Sequence, residues 1–187
     1  HNKYKLEVVM LNFVKNTPIA VTQSVIRIIL VLGLVVAAST SQAEAQRIVG
    51  FDPLEFPEEH CLALNIYYEA RSSNLADKAA VADVVLNRMN DTRYPNTVCG
   101  VVQDGYTKGR RDCQFSWYCD GKSDIPADFD RWSEAQNIAF AITKWSEFRG
   151  ISEGATHYHA DYVQPYWASS LQLVGTIGRH VFYRWNK

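Results

Sequence analysis

From Cys61 to Arg71 the chain reads Cys-Leu-Ala-Leu-Asn-Ile-Tyr-Tyr-Glu-Ala-Arg, apolar almost throughout, with one carboxylate near its end. At 3.6 residues per turn Leu62, Asn65, Ile66 and Glu69 fall on one stripe, which predicts a helix from about Glu58 to Arg71. Pro53 and Pro57 prevent an earlier start, and Glu58 and Glu59 suit its N-terminal dipole. Ser72-Ser73-Asn74 breaks it. A second helix is expected from Leu75 to about Met89, capped by Ser73 or Asn74 and burying Ala80, Val81, Val84 and Val85. Tyr94-Pro95-Asn96 marks a turn, Thr97 caps a short helical segment from Val98 to Val102, and Asp104-Gly105 and Lys108-Gly109 indicate a loop or hairpin. Pro126 opens the longest helix, about Ala127 to Trp145, with Phe129, Trp132, Ala135, Ala139, Ile142 and Trp145 as its core stripe. After Gly150 the pattern changes. Ala155 to Ala160 and Gly178 to Tyr183 combine β-branched and aromatic residues between Gly, Asp and Pro, and read as strands joined through a loop at Pro165 to Ala168. Helices first and strands late imply an α+β domain, mainly helical with a small β region late in the chain.

The first 45 residues differ in kind. A weakly basic stretch with Lys15 and Arg27 leads into the apolar run Ile28 to Ala38, followed by small and polar residues ending Ala43-Glu44-Ala45. That is the pattern of a signal peptide cleaved near Ala45, the apolar run being short for a membrane span. The alternative is a retained anchor at the outer face of the inner membrane. Met10 would be the natural start, with His1 to Val9 unexplained. Either way residues 46–187 form an exported domain, expected in the periplasm or cell envelope. The four cysteines, Cys61, Cys99, Cys113 and Cys119, all lie in it, and an even number in an oxidising compartment favours disulfides. Three pairings exist; the preferred one closes the short loop Cys113–Cys119 and leaves Cys61 with Cys99. A formal charge of −1 and the scattered basic residues argue against nucleic-acid binding. A monomer is expected, with no cofactor.

Glu69 carries the candidate chemistry. A carboxyl on a stripe facing the core or a cleft is desolvated, which disfavours ionisation and keeps a proton available as a general acid. The competing account is an exposed last-turn acid paired with Arg71 or another Arg. The aromatic-rich segment Cys113-Gln114-Phe115-Ser116-Trp117-Tyr118-Cys119 reads as a pinned loop forming one wall of a cleft, or else as a core strand. Trp and Tyr faces stack on sugar rings while their polar groups find partners, so a carbohydrate cleft suits this composition.

The chain resembles the cell wall hydrolases of the SleB type, the family of the spore cortex-lytic enzyme. The resemblance runs from Cys61 to Tyr183 through seven motifs in the family's order. They are Leu62 to Arg71; Ala80-Val81-Ala82 with Val85 to Arg88; Tyr94 to Val102; Cys113 to Trp117; Gly154 to His159; Pro165 to Ala168; and Thr176 to Tyr183. It implies a lysozyme-like fold and cleavage of peptidoglycan glycan strands between N-acetylmuramic acid and N-acetylglucosamine, with the family's catalytic glutamate falling on Glu69. Gln114, Ser116, Tyr158 and His159 are then candidates to orient the sugar's polar groups, and Trp117 and Trp167 to stack against it. One departure stands out: the family commonly continues Glu-Ala-Arg with Gly-Glu, whereas Arg71 is followed here by Ser72 and Ser73.

No second acid stands out among Asp104, Asp120 and Asp161, although a two-carboxylate glycosidase requires one. A lytic transglycosylase does not, since the muramic 6-hydroxyl attacks C1 and gives a 1,6-anhydro product, with Glu69 serving as general acid and then returning as base; this is the preferred route, with hydrolysis as the alternative. Two rivals differ in class. One is a metal-dependent hydrolase on His157 and His159 with Asp161 or Glu69, since alternate strand residues share a face. The other is a peptidoglycan-binding protein without turnover.

Overall fold

The computed structural model describes residues 52–107 and 112–186. The expected signal peptide or anchor, and the Lys108-Gly109 turn, lie outside the described residues. Helix α1 spans Pro57–Ala70, with a proline in its first turn and Glu58 and Glu59 beside it. Both acids have partners beyond the dipole. The Glu58 carboxylate accepts the backbone N–H groups of Val98 at 2.5 Å and Cys99 at 3.1 Å, so it caps a different helix. Glu59 is buried and pairs with Lys144 at 2.9 Å. The helix stops without a glycine: Arg71 is its C-cap, and Ser73 N–H returns to the Ala70 carbonyl at 2.9 Å. Ser72 and Ser73 therefore allow the helix to end where the sequence pattern places the break.

Helix α2, Leu75–Met89, is capped by Asn74, whose side chain accepts from Asp77 N–H at 3.0 Å. Ala79 to Val85 are fully buried, so α2 is wrapped on several sides rather than along one stripe. Helix α3, Val98–Val102, starts at the Thr97 cap. A Cβ on Gly100 would stand 2.7 Å from Thr97 Oγ1 and 2.8 Å from Pro95 Cβ, so the turn entering α3 needs glycine there. The segment after Cys113 forms a 3₁₀ turn at Ser116–Cys119.

Helix α4 is Phe129–Lys144, two residues shorter at its start than the sequence pattern suggests. The Tyr67 hydroxyl accepts the N–H groups of Ala127 at 3.2 Å and Asp128 at 3.0 Å, and Asp128 then serves as the N-cap. The expected core stripe needs correcting at both ends. Phe129 is 80% exposed and Trp145 51% exposed, because both ends of α4 overrun the surface on which it packs. Ala135, Ile138, Ala139 and Ile142 are the buried residues, and Trp132 is half-buried, edge-on to His60 and Tyr67.

The sheet has three antiparallel strands, β1 His157–Ala160, β2 Gln172–Ile177 and β3 His180–Arg184, in the order β1-β3-β2. Strand β2 is absent from the sequence-based reading. It is a largely exposed edge strand, irregular between Leu173 and Gly175, and so lacks the clean alternation that marks a half-buried strand. The stretch expected as a loop includes a 3₁₀ turn at Tyr166–Ser170. One core cluster joins α1, α2, α3 and α4 through Leu62, Ile66, Val85, Val101, Ala139 and Ile142. A smaller one packs the sheet on α2 through Ala70, Ala80, Val81, Val84, Ala155 and Phe182. The cysteines pair as Cys61–Cys99 and Cys113–Cys119. Among the described residues no helix is long and apolar enough to cross a membrane.

Candidate active site

The site forms where the last turn of α1 meets the inner face of β1 and the start of β3. On the α1 stripe Leu62, Asn65 and Ile66 are fully buried, and Glu69 one turn later is half-buried. Tyr158 and Phe182 are direct partners in the β1–β3 register, and the Tyr158 hydroxyl donates to Glu69 Oε2 at 3.1 Å. Burial pushes the Glu69 carboxyl above its ordinary value; the Tyr158 hydrogen bond and the His180 and Arg88 side chains offset this only in part. Burial, and then the Glu69 charge, raise the Tyr158 phenol well above its own ordinary value, so it remains a donor.

Arg71 is not the partner of Glu69. Its guanidinium donates to the Tyr67 hydroxyl at 3.2 Å and lies 5.1 Å from the centre of that ring. The cation near the acid is Arg88, buried in α2, whose Nε donates to the Thr156 carbonyl at 2.6 Å and whose plane lies over the Phe115 and Tyr94 rings. Glu69 opens into a cleft of about 220 Å³ whose lining includes Tyr68, Ser72, Tyr162, Arg179 and His180. Glu69 is the only carboxylate among its described lining residues. Asp120 is engaged by Lys122 at 3.0 Å and Asp104 accepts the N–H of Gly105 at 2.9 Å; neither lines the cleft.

Of the residues singled out in the sequence, Tyr158 meets Glu69 directly. Trp117 is close by but buried: its indole N–H donates to Asn65 Oδ1 at 3.2 Å, and its ring stacks on Tyr68 at 4.8 Å. It braces α1, while Tyr68 and the 78% exposed Tyr162 are the aromatic faces along the cleft. Gln114 and Ser116 are exposed and are not among the lining residues. His159 and Trp167 lie on the other face of β1, because alternate strand residues point oppositely. There His159 stacks on Tyr183 with Nε2 3.2 Å from its hydroxyl, and Trp167 stands edge-on to Tyr183. His157 shares that face, and burial together with Arg88 and Arg93 pushes its pKa down to about 4. Glu69 is thus on the opposite side of β1 from both histidines and cannot join them in holding a metal.

The sequence reading passed over His180 and Asp77, which sit behind Glu69 with His180 Nδ1 2.7 Å from Asp77 Oδ1. The parity that puts His180 and Phe182 on one face of β3 was a signal for the histidine; nothing local pointed to Asp77 as its partner.

The fold is that of the SleB catalytic domain, a lysozyme-like arrangement. The crystal structure of the Bacillus cereus SleB catalytic domain matches with a TM-score of 0.51 at 25% identity, over 68% of this chain and 91% of that one. The corresponding domain from Bacillus anthracis matches in fold with a TM-score of 0.50. The cell wall hydrolase family matches residues 72–183, and the chain belongs to that family. The matched span begins directly after Arg71, so α1 and Glu69 lie outside it. Spore cortex-lytic enzymes are similar as well: that of Bacillus subtilis is 29% identical over 123 residues and that of Oceanobacillus iheyensis 30% over 122. Each alignment covers 65% of this chain, which spans little more than a third of those relatives, 35% and 39%.

Proposed function

We propose that this protein cleaves peptidoglycan glycan strands between N-acetylmuramic acid and N-acetylglucosamine, with Glu69 as the general acid. The observation that carries the reading is the setting of Glu69: one carboxyl in the cleft, its pKa raised by burial, held by Tyr158. Membership of the cell wall hydrolase family and similarity to spore cortex-lytic enzymes support the substrate class. Glu69 protonates the leaving glycosidic oxygen while positive charge develops at C1. Nucleophilic or water-activating work by a second acid requires a carboxylate within roughly 10 Å across the bond. Among the described residues the cleft lining offers none besides Glu69, which favours attack by the muramic 6-hydroxyl and a 1,6-anhydro end. Tyr68 and Tyr162 are placed to stack against sugar rings. The protein acts outside the cytoplasm, where its substrate lies and its disulfides persist.

The test is product mass. The full-length protein is incubated with cell-wall sacculi and the released muropeptides are weighed. Anhydro-muropeptides are expected from the wild type, and no release from Glu69→Gln. Products heavier by one water would assign hydrolysis instead, and substantial release by Glu69→Gln would remove Glu69 from the mechanism.

A further inference from the structure

Two guanidiniums share the cleft lining with Glu69: Arg71 from the C-cap of α1 and Arg179 from the turn between β2 and β3. Ser72, Ser73 and Tyr162 add hydroxyls to that lining but no charge. Burial pushes the Glu69 carboxyl toward its neutral form, so the one acid among the described lining residues does little to balance the two cations. Arg71 donates to the Tyr67 hydroxyl at 3.2 Å and keeps its other N–H groups free for a ligand. Arg179 is exposed, and its guanidinium has no ion pair or hydrogen bond among the described residues.

The backbone that carries Arg179 is, by contrast, fixed on both sides. Its N–H donates to Asp77 Oδ2 at 3.0 Å, and its carbonyl accepts the N–H of Asp161 at 2.9 Å. Asp77 is fully buried, and its other oxygen lies 2.7 Å from His180 Nδ1. The preceding residue, Gly178, has φ 58°, and a Cβ there would stand 2.5 Å from Asp77 Oδ2, so the turn sits directly on the carboxylate. With both backbone polar groups of Arg179 taken up, the group this residue has left to offer a ligand is its side chain. An arginine serving the fold would be paired inward. Here a buried acid holds the turn, and the cationic head above it is left without a partner at the edge of a cleft that lacks a balancing acid. A planar guanidinium in that position matches a carboxylate.

We propose that Arg179, supported by Arg71 in the same lining, selects glycan strands whose muramic residue bears a carboxylate on its 3-O-lactyl branch. The inference rests on the glycan-cleavage reading and names the strands that the cleft prefers. The carboxylate has two possible sources: the lactyl acid itself where no peptide is attached, and the acidic groups of an attached stem peptide. N-acetylglucosamine carries neither, so the charge distinguishes the muramic side of the bond. Arg179 takes no part in proton transfer, which stays with Glu69.

The experiment uses soluble glycan strands freed from sacculi by an endopeptidase. One portion keeps its stem peptides, and another is stripped by an amidase, which leaves the lactyl carboxylate free. Half of each is converted to neutral amides with carbodiimide and methylamine. Full-length wild type is expected to lose on the order of tenfold in kcat/KM on neutralisation, mostly through KM, in at least one of the two pairs. Loss in the peptide-bearing pair assigns the peptide carboxylates, and loss in the stripped pair assigns the lactyl group. Arg179→Gln should start lower on the charged strands and change less than about twofold on neutralisation, while Arg179→Lys keeps part of the preference. Raising the salt concentration should shrink the wild-type preference. An arginine with a merely structural role would, when replaced, lower kcat/KM equally on charged and neutral strands. That outcome overturns the proposal, and so does equal cleavage of charged and neutral strands by the wild type, whether or not the variant folds. Strand affinities measured in Glu69→Gln, with and without Arg179→Gln, repeat the comparison without turnover. A wild type that cleaves no strand fails the glycan-cleavage reading, whereas affinities indifferent to strand charge fail the arginine assignment.

Discussion

At Glu69 the reactive state, the neutral carboxyl, is the state that the folded protein favours. Its folded pKa lies above the ordinary 4.5, because burial disfavours the charge more than Tyr158, His180 and Arg88 favour it. For a group shifted in this direction the stability associated with the neutral carboxyl is complete below the unfolded pKa and is lost as pH rises through the folded one. Glu69→Gln keeps an acceptor for Tyr158 and removes the ionisation. Its Tm should therefore exceed that of the wild type at about pH 8, and the gap should close towards about pH 4, where both side chains are neutral. Scanning calorimetry across pH checks this, and identical Tm values at both ends would contradict the raised pKa. Glu69 was legible in the sequence because it continues the stripe of Leu62, Asn65 and Ile66, a local pattern. Tyr158 was legible as a polar strand residue, but not its 3.1 Å bond, which joins residues 89 apart. The Asp77–His180 pair is separated by 103 residues and left no local trace at Asp77, which reads as an ordinary first-turn acid of α2.

Among the elements, α2 organises the site although it contributes no cleft-lining acid. Asp83, fully buried at its middle, accepts from the Arg149 guanidinium, Gly150 N–H at 3.2 Å, Ser152 N–H at 3.1 Å and the Ser152 hydroxyl at 2.6 Å. One turn on, Asn87 holds the Ala155 carbonyl at 2.9 Å and Arg88 the Thr156 carbonyl. These bonds fasten residues 149–156, the run into β1, and so set the height at which Tyr158 reaches Glu69. Asp83→Ala leaves Ser152 buried without its acceptor and Arg149 without its counter-charge. Because Arg149 is 28% exposed and can turn to water, the cost should sit near the low end for broken buried pairs, about 3 kcal/mol. Denaturant unfolding measures it, and a loss under about 1 kcal/mol would show that β1 is held by packing alone. The helices were readable from periodicity, caps and prolines, all signals within a few residues. The start of α4 moved because the Tyr67 hydroxyl takes up the N–H groups that would have opened the helix earlier. Strand β2 escaped because an exposed edge strand is specified by its partner β3 more than by its own pattern.

Across the whole molecule the two disulfides differ in what they restrain. Cys61–Cys99 closes a loop of separation 38 and ties α1 to α3, where Glu58 already caps the first N–H groups of α3 and Val98, Val101 and Val102 are buried. Cys113–Cys119, of separation 6, closes one turn of the segment whose Trp117 braces Asn65. If each acts chiefly by shrinking the unfolded ensemble, the chain-entropy relation assigns about 4 kcal/mol to the first and about 2 kcal/mol to the second. Packing and the Glu58 cap persist in the reduced protein, so Cys61→Ser with Cys99→Ser should unfold cooperatively, at lower denaturant, and still hold Glu69 against Tyr158. Equilibrium unfolding of that double variant and of the Cys113→Ser, Cys119→Ser variant, each at several pH values, should show the first losing about twice as much stability as the second. Equal losses would place the benefit in the folded state. Abolished cleavage in a folded Cys61→Ser, Cys99→Ser variant would make the long bridge a determinant of site geometry, contrary to the redundancy of the α1–α3 contacts.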